Sequence, residues 1–133
     1  MEITAKVKRE PGEKNFSCFM YVGSVKAGVL GQGSSARTAM DDMLRGWNEL
    51  EADLKEDGID VPDLEITYSF DIGALFDYCG YMNVSGVSRE IGISPSVMRQ
   101  YIIGVRKPSA ERKAEIMGKI KSLARQMETM SLY

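Results

Sequence analysis

The chain contains no histidine. That removes the commonest general base and, with it, Ser-His and Cys-His activation of a nucleophile. Carboxylates holding a metal are the main enzymatic route left open. Cysteine is almost as scarce: Cys18 and Cys79 stand far apart, with no CxxC pair. Zinc needs clustered ligands, so neither a metal nor another cofactor is expected. Both thiols read as reduced, buried residues of a cytoplasmic protein. No apolar run approaches the ~20 residues of a membrane span. No short basic segment precedes an apolar core at the N-terminus, so no secretory signal is read.

What remains is a chain of 133 residues with an ordinary apolar fraction of 44%. Such a length suits one domain or two small ones. The net charge of −2 hides an asymmetry: residues 1–70 hold 8 Lys+Arg against 13 Asp+Glu, and residues 71–133 hold 9 against 6. Between 84 and 113 the excess sharpens to six basic against two acidic residues. An acidic half joined to a basic half implies two modules with different partners.

The acidic half alternates in strand fashion. Ile3, Ala5 and Val7 share one face of a first strand. Pro11 to Asn15 is a turn. Phe16, Cys18, Met20 and Val22 face one way on a second strand, and Phe19 and Tyr21 make its other face apolar too. That strand is therefore internal to the sheet. Gly23-Ser24 reads as a tight hairpin link, Val25 to Leu30 as a third strand, and Gly31-Gln32-Gly33 as its end. Ser34 or Ser35 then caps a long helix. Ala36, Met40, Met43, Trp47, Leu50 and Leu54 form its apolar stripe, and Gly58 stops it. Seven acids follow along and beyond this helix: Glu49, Glu51, Asp53, Glu56, Asp57, Asp60 and Asp63. They read as a solvated face or as a surface for a basic protein. A fourth strand spans Asp63 to Phe70. A strand-helix-strand crossover sets it parallel to the third. A face carrying Phe19 and Tyr21 needs a cover, such as a second subunit.

The basic half is helical. Asp71 caps a helix ended by Gly80. Asn83 caps another, with Val87 and Ile91 as core contacts and a small Ser88 where helices approach. Gly92 suits a turn at positive φ, and Ile93 plugs the core behind it. Ser94 caps the next helix, Pro95 occupies its first turn, and Met98 and Tyr101 (or Ile102) face inward. Pro95, Ser96, Arg99 and Gln100 are left outside, a set suited to base edges: Arg pairs with guanine, Gln with adenine, Ser with either. Arg89, Ser94, Arg106, Lys107 and Arg112 flank them, where phosphates would run. Ser109 caps a last helix striped by Ile116, Ile120, Leu123 and Met127.

Residues 84–103 resemble the helix-turn-helix of phage-repressor-type regulators, through Ser88, Gly92, Val87, Ile91, Ile93, Met98 and Tyr101. The run QYIIGVRKPS resembles that superfamily's closing segment. The first half resembles HicB-type antitoxins: three strands, GQGSSARTAM opening a helix that ends in EDG, Val61-Pro62, and a last strand. Gly33, Ser34 or Ser35, and Ala39 stand at the family's helix entry. YVGSVKAG holds no proline where the family carries one. The resemblance implies a HicB-like degenerate RNase H-like domain fused to a helix-turn-helix. It also implies a HicA-like mRNA interferase toxin as partner and binding to the operon's own promoter.

The expected fold is α+β: a β-β-β-α-β four-stranded mixed sheet with one long helix over residues 1–70, then an all-α helix-turn-helix domain over 71–133. The expected function is a sequence-specific DNA-binding repressor. It acts as the antitoxin of a type II toxin–antitoxin pair, as a homodimer or higher homo-oligomer on a palindromic operator. The alternative is a stand-alone regulator whose first domain serves dimerisation. A nuclease is set aside, because no histidine and no acid cluster on strand centres are present; no catalytic residue is assigned.

Overall fold

The computed structural model describes residues 1–10, 12 and 14–133. Part of the expected turn at 11–15, Pro11 and Glu13, lies outside the described residues. Two compact units divide the chain, Met1–Cys79 and Gly80–Tyr133. The class is α+β, with a four-stranded mixed sheet in the first unit.

Four strands, β1 (Glu2–Arg9), β2 (Phe16–Val22), β3 (Ala27–Gly33) and β4 (Glu65–Phe70), lie in the order β3-β2-β1-β4. β2 is antiparallel to both neighbours, and β4 is parallel to β1. β4 therefore runs in the same sense as β3, as a crossover requires, but it pairs with β1 at the opposite edge. The long helix α1 (Ala36–Glu56) carries the chain across two strands. Period-two alternation puts Ala5, Val7, Phe16, Cys18, Met20, Val22 and Val29 on the helix side, where they close a core with Ala39, Met40, Met43 and Trp47. The stripe read along α1 is this packing face.

Strand boundaries differ from the sequence reading: β3 starts at Ala27 rather than Val25 and β4 at Glu65 rather than Asp63. The β2–β3 link is a 3-10 turn at Gly23–Val25 followed by Lys26 in the left-handed region at φ 53°. Gly31, Gln32 and Gly33 belong to β3 rather than ending it. The two glycines are small for contact reasons: a methyl on Gly31 would lie 2.7 Å from Met43 Cα, and one on Gly33 would lie 2.8 Å from the Ala39 nitrogen. The helix backbone rests directly on the strand. Asp42 on α1 secures the fit by accepting the Gln32 N–H at 2.9 Å.

Ser35, of the two serines considered, caps α1. Its Oγ accepts the Thr38 N–H at 3.1 Å, and its own N–H donates to Thr38 Oγ1 at 3.0 Å. Ser35→Ala is expected to cost about 1 kcal/mol, read as a melting point lowered by roughly 4–8 °C. A thermal melt followed by circular dichroism checks it.

The short helix α2 (Ile72–Tyr78), placed by sequence at the start of the helical module, belongs to the first unit. Ala74 and Phe76 are buried, and Asp77 accepts the Ala36 N–H at 2.7 Å. Asp71 caps α2 through Ala74 and accepts the Arg9 N–H with its other oxygen. These bonds tie α2 to the start of α1 and the end of β1, so the first unit extends past Phe70 to Cys79.

Cys18 is fully buried, with its Sγ 3.3 Å from Met43 Sδ, and Cys79 is half-buried; neither forms a disulfide. Burial pushes the Cys18 thiol up to about 11 from its ordinary 9.0. The folded state therefore holds this proton more tightly than the unfolded state. That contribution is intact below pH 9 and is lost as pH rises from 9 towards 11. Denaturant unfolding is expected to show a stability loss in that window that Cys18→Ser removes.

The second unit holds α3 (Val84–Ile91), α4 (Pro95–Ile103) and α5 (Ala110–Glu128). α3 packs on α4 and on α5. Ser88, Ile91, Ile93, Met98, Tyr101 and Ile116 are buried between them, and Val87 is half-buried. Among the described residues, no helix is long and apolar enough to cross a membrane.

Candidate nucleic-acid interface

The α3–α4 junction is built from local rules. Asn83 caps α3 by accepting the Gly86 N–H at 2.8 Å. Ser88 sits at the crossing with no exposed surface, and its hydroxyl donates back to the Val84 carbonyl at 2.6 Å. A larger side chain would hold the helices apart. Gly92 takes φ 90°, a region that disfavours a β-carbon. Its N–H and that of Ile93 both donate to the Ser88 carbonyl, closing the turn tightly. Ser94 then opens α4 by accepting the Val97 N–H, with Pro95 in the first turn.

This register decides what α4 shows to solvent. Met98 and Tyr101 are buried, so both inward candidates next to the half-buried Ile102 are core residues. Ser96 and Arg99 are exposed; Pro95 and Gln100 are half-buried. Ser96, Arg99 and Gln100 share one helical face, at i, i+3 and i+4. Ile103 continues that face at i+7 and is 54% exposed. Sequence reading missed Ile103, although the spacing that selected Arg99 also selects it. An exposed aliphatic there is suited to a thymine methyl.

The second residue missed is Ser85. Arg99 donates to Ser85 Oγ at 2.7 Å, from α4 to α3. One N–H of the guanidinium fork is used, and the others stay available. The bond holds a long side chain in place, so less rotamer entropy is lost when it meets a ligand.

The flanking cations fall into two groups. Gly104 ends α4 at φ 85°, and the Arg106 N–H reaches back to the Gln100 carbonyl at 3.3 Å. The loop carrying Arg106 and Lys107 is thereby folded against the end of α4. Arg89 lies on the last turn of α3. Among the described residues Arg89, Arg106 and Lys107 make no ion pair, and all three are exposed. Arg112 is different: it is half-buried on α5, 4.0 Å from Glu115. Its charge is partly answered within the protein, which weakens it as a phosphate ligand.

No family model matches the chain, and no curated protein or solved structure matches it. Function therefore rests on the chemistry of these side chains. Among the described residues no group of three or more Cys, Asp or Glu is placed to hold a metal ion.

Proposed function

We propose that the chain is a sequence-specific DNA-binding repressor that presents α4 to the major groove. The observation carrying this reading is the α3–turn–α4 unit. A buried serine at the crossing and Gly92 at φ 90° aim Ser96, Arg99 and Gln100 outward together. In this reading the second unit is a helix-turn-helix domain, α4 is its recognition helix, and α3 crosses the backbone. Pro95, Ser96, Arg99 and Gln100 meet bases. Ser94, Arg89, Arg106, Lys107 and Arg112 meet phosphates, with Arg112 the weakest.

One α4 helix spans only a few base pairs, so useful specificity calls for two copies on a palindrome. The narrower proposal is an antitoxin that neutralises an mRNA interferase and represses its own operon. It draws on the resemblance of residues 1–70 to HicB-type antitoxins and on the exposed acids Asp53, Glu56, Asp57, Asp60 and Asp63, which would suit a basic toxin. Co-expression with the neighbouring gene tests that part: a stable complex supports it, and separate elution of two folded proteins removes it.

DNA binding is tested on the region upstream of the chain's own gene. Lys107→Ala is expected to weaken specific and scrambled duplexes alike and to lower the slope of log affinity against log salt by about 1. Fluorescence anisotropy across a salt series measures both. An unchanged slope would remove Lys107 from the phosphate contacts.

A further inference from the structure

The sheet buries one face under α1 and leaves the other open. On that open face the strand pairings set a grid. Lys6 lies beside Phe19 and Ser69, Phe19 beside Leu30, Lys8 beside Ser17, and Tyr21 beside Gly28. Phe19, Tyr21 and Leu30 are 45%, 55% and 56% exposed. The Phe19 ring lies across Gly28, where an added methyl would come within 3.0 Å of Cε2. The result is an aromatic patch at the centre of the sheet.

Charge is divided along the strands. Glu2 and Glu65 are partners in the β1–β4 ladder at one end. Thr4 and Thr67 follow, with their hydroxyl oxygens 3.3 Å apart. Lys6 and Lys8 lie beyond, and Glu10 answers Lys8 only at 4.0 Å. Lys26 lies in the turn past the acidic end. The open face thus carries its two acids, with Lys26 in the adjoining turn, at one end, the aromatics and Lys6 in the middle rows, and Lys8 at the other end.

We propose that this face packs on the same face of a second copy, about a two-fold axis running across the strands. Centred between Phe19 and Tyr21, that operation sets Glu2 of each copy against Lys8 of the other and Thr4 against Lys6. It brings the two Phe19–Tyr21 pairs together at the centre. An axis along the strands would set lysine on lysine, so the charge pattern selects one orientation. The rim pairs fix orientation and contribute little affinity, which comes from the desolvated aromatic centre.

Exposed aromatics beside lysines would also suit single-stranded nucleic acid. The surrounding charge opposes that occupant: residues 1–79 carry 8 Lys+Arg against 15 Asp+Glu, which repels phosphate at long range. A second copy of the same pattern meets no such penalty.

The inference deepens the dimer called for by the DNA-binding reading. Its test measures mass without DNA, so the two fail separately. Sedimentation of the full chain is expected to give twice 14.8 kDa. Glu2→Lys with Glu65→Lys, and separately Lys6→Glu with Lys8→Glu, are each expected to raise the dimer dissociation constant at least about tenfold. An equal mixture of the two variants restores a dimer, because each supplies the charge the other lost. All these positions are exposed, and circular dichroism confirms the fold of each variant. Four outcomes would overturn the proposal: a monomeric wild type, dimers that survive both charge reversals, variants that fail to pair when mixed, or a monomer that occupies this face only with an added oligonucleotide or basic protein.

Discussion

Arg99→Ala is expected to weaken binding to the specific duplex by roughly 1–3 kcal/mol, about 5- to 150-fold, and to relax preference at one base position per half-site. Arg99 is exposed on the outward face of α4, and its guanidinium is steadied by Ser85. Removing it deletes a bidentate donor and leaves Arg89, Arg106 and Lys107 in place. Binding to a scrambled duplex should therefore change little. Ser85→Ala is the companion variant: it removes the steadying bond and keeps the reader, so a smaller loss of about 0.5–1.5 kcal/mol is expected. Parallel anisotropy titrations on specific and scrambled duplexes separate the cases. Equal losses on both would reduce Arg99 to another phosphate contact.

Gly31→Ala is expected to cost the first unit more than about 3 kcal/mol. The added methyl would lie 2.7 Å from Met43 Cα and would also press on the Met43 nitrogen and the Ala39 carbonyl oxygen. These are backbone atoms, so no rotamer change relieves the contact. Either α1 lifts from β3 and opens the core around Cys18, Met43 and Trp47, or the strand bends. Total stability of a domain this size is about 5–15 kcal/mol, so such a loss is a large fraction of it. Thermal unfolding should show the melting point of the first unit falling by more than about 10 °C. Gly118→Ala is the control. Gly118 lies on α5 where an added methyl meets nothing within 4 Å, so a gain of about 0.5–1 kcal/mol is expected. A Gly31→Ala chain as stable as the parent would contradict the direct seating of α1 on β3.

The same two regions show how far the sequence could be read. Alternation at Ile3, Ala5 and Val7 and the stripe from Ala36 to Trp47 disclosed a sheet with a helix over it, because burial imposes those periods. The place of β4 was not disclosed. A crossover fixes direction only, and the seat beside β1 rather than β3 depends on where α1 deposits the chain. Gly31 and Gly33 read as a strand end because glycine that ends a strand and glycine that admits a neighbouring backbone look alike in one dimension. α2 followed β4 in sequence and was grouped with what came next; its Asp77–Ala36 bond spans 41 residues and has no local signature.

The candidate interface was more legible. Asn83, Ser94 and Ser109 each cap the helix they precede, and Gly92 takes the left-handed turn expected of it. Those signals act within four residues. The Arg99–Ser85 bond crosses 14 residues, and the engagement of Arg112 by Glu115 depends on which rotamers meet. Both required the folded arrangement.

Selection from a random duplex library by the full chain asks whether α4 reads DNA sequence. An inverted repeat whose half-sites lie about one helical turn, ~34 Å, apart is expected to be enriched. Arg99→Ala should select the same repeat with one position in each half-site relaxed. A pool that stays random after repeated rounds would rule out sequence reading by α4, as would a motif that Arg99→Ala leaves untouched.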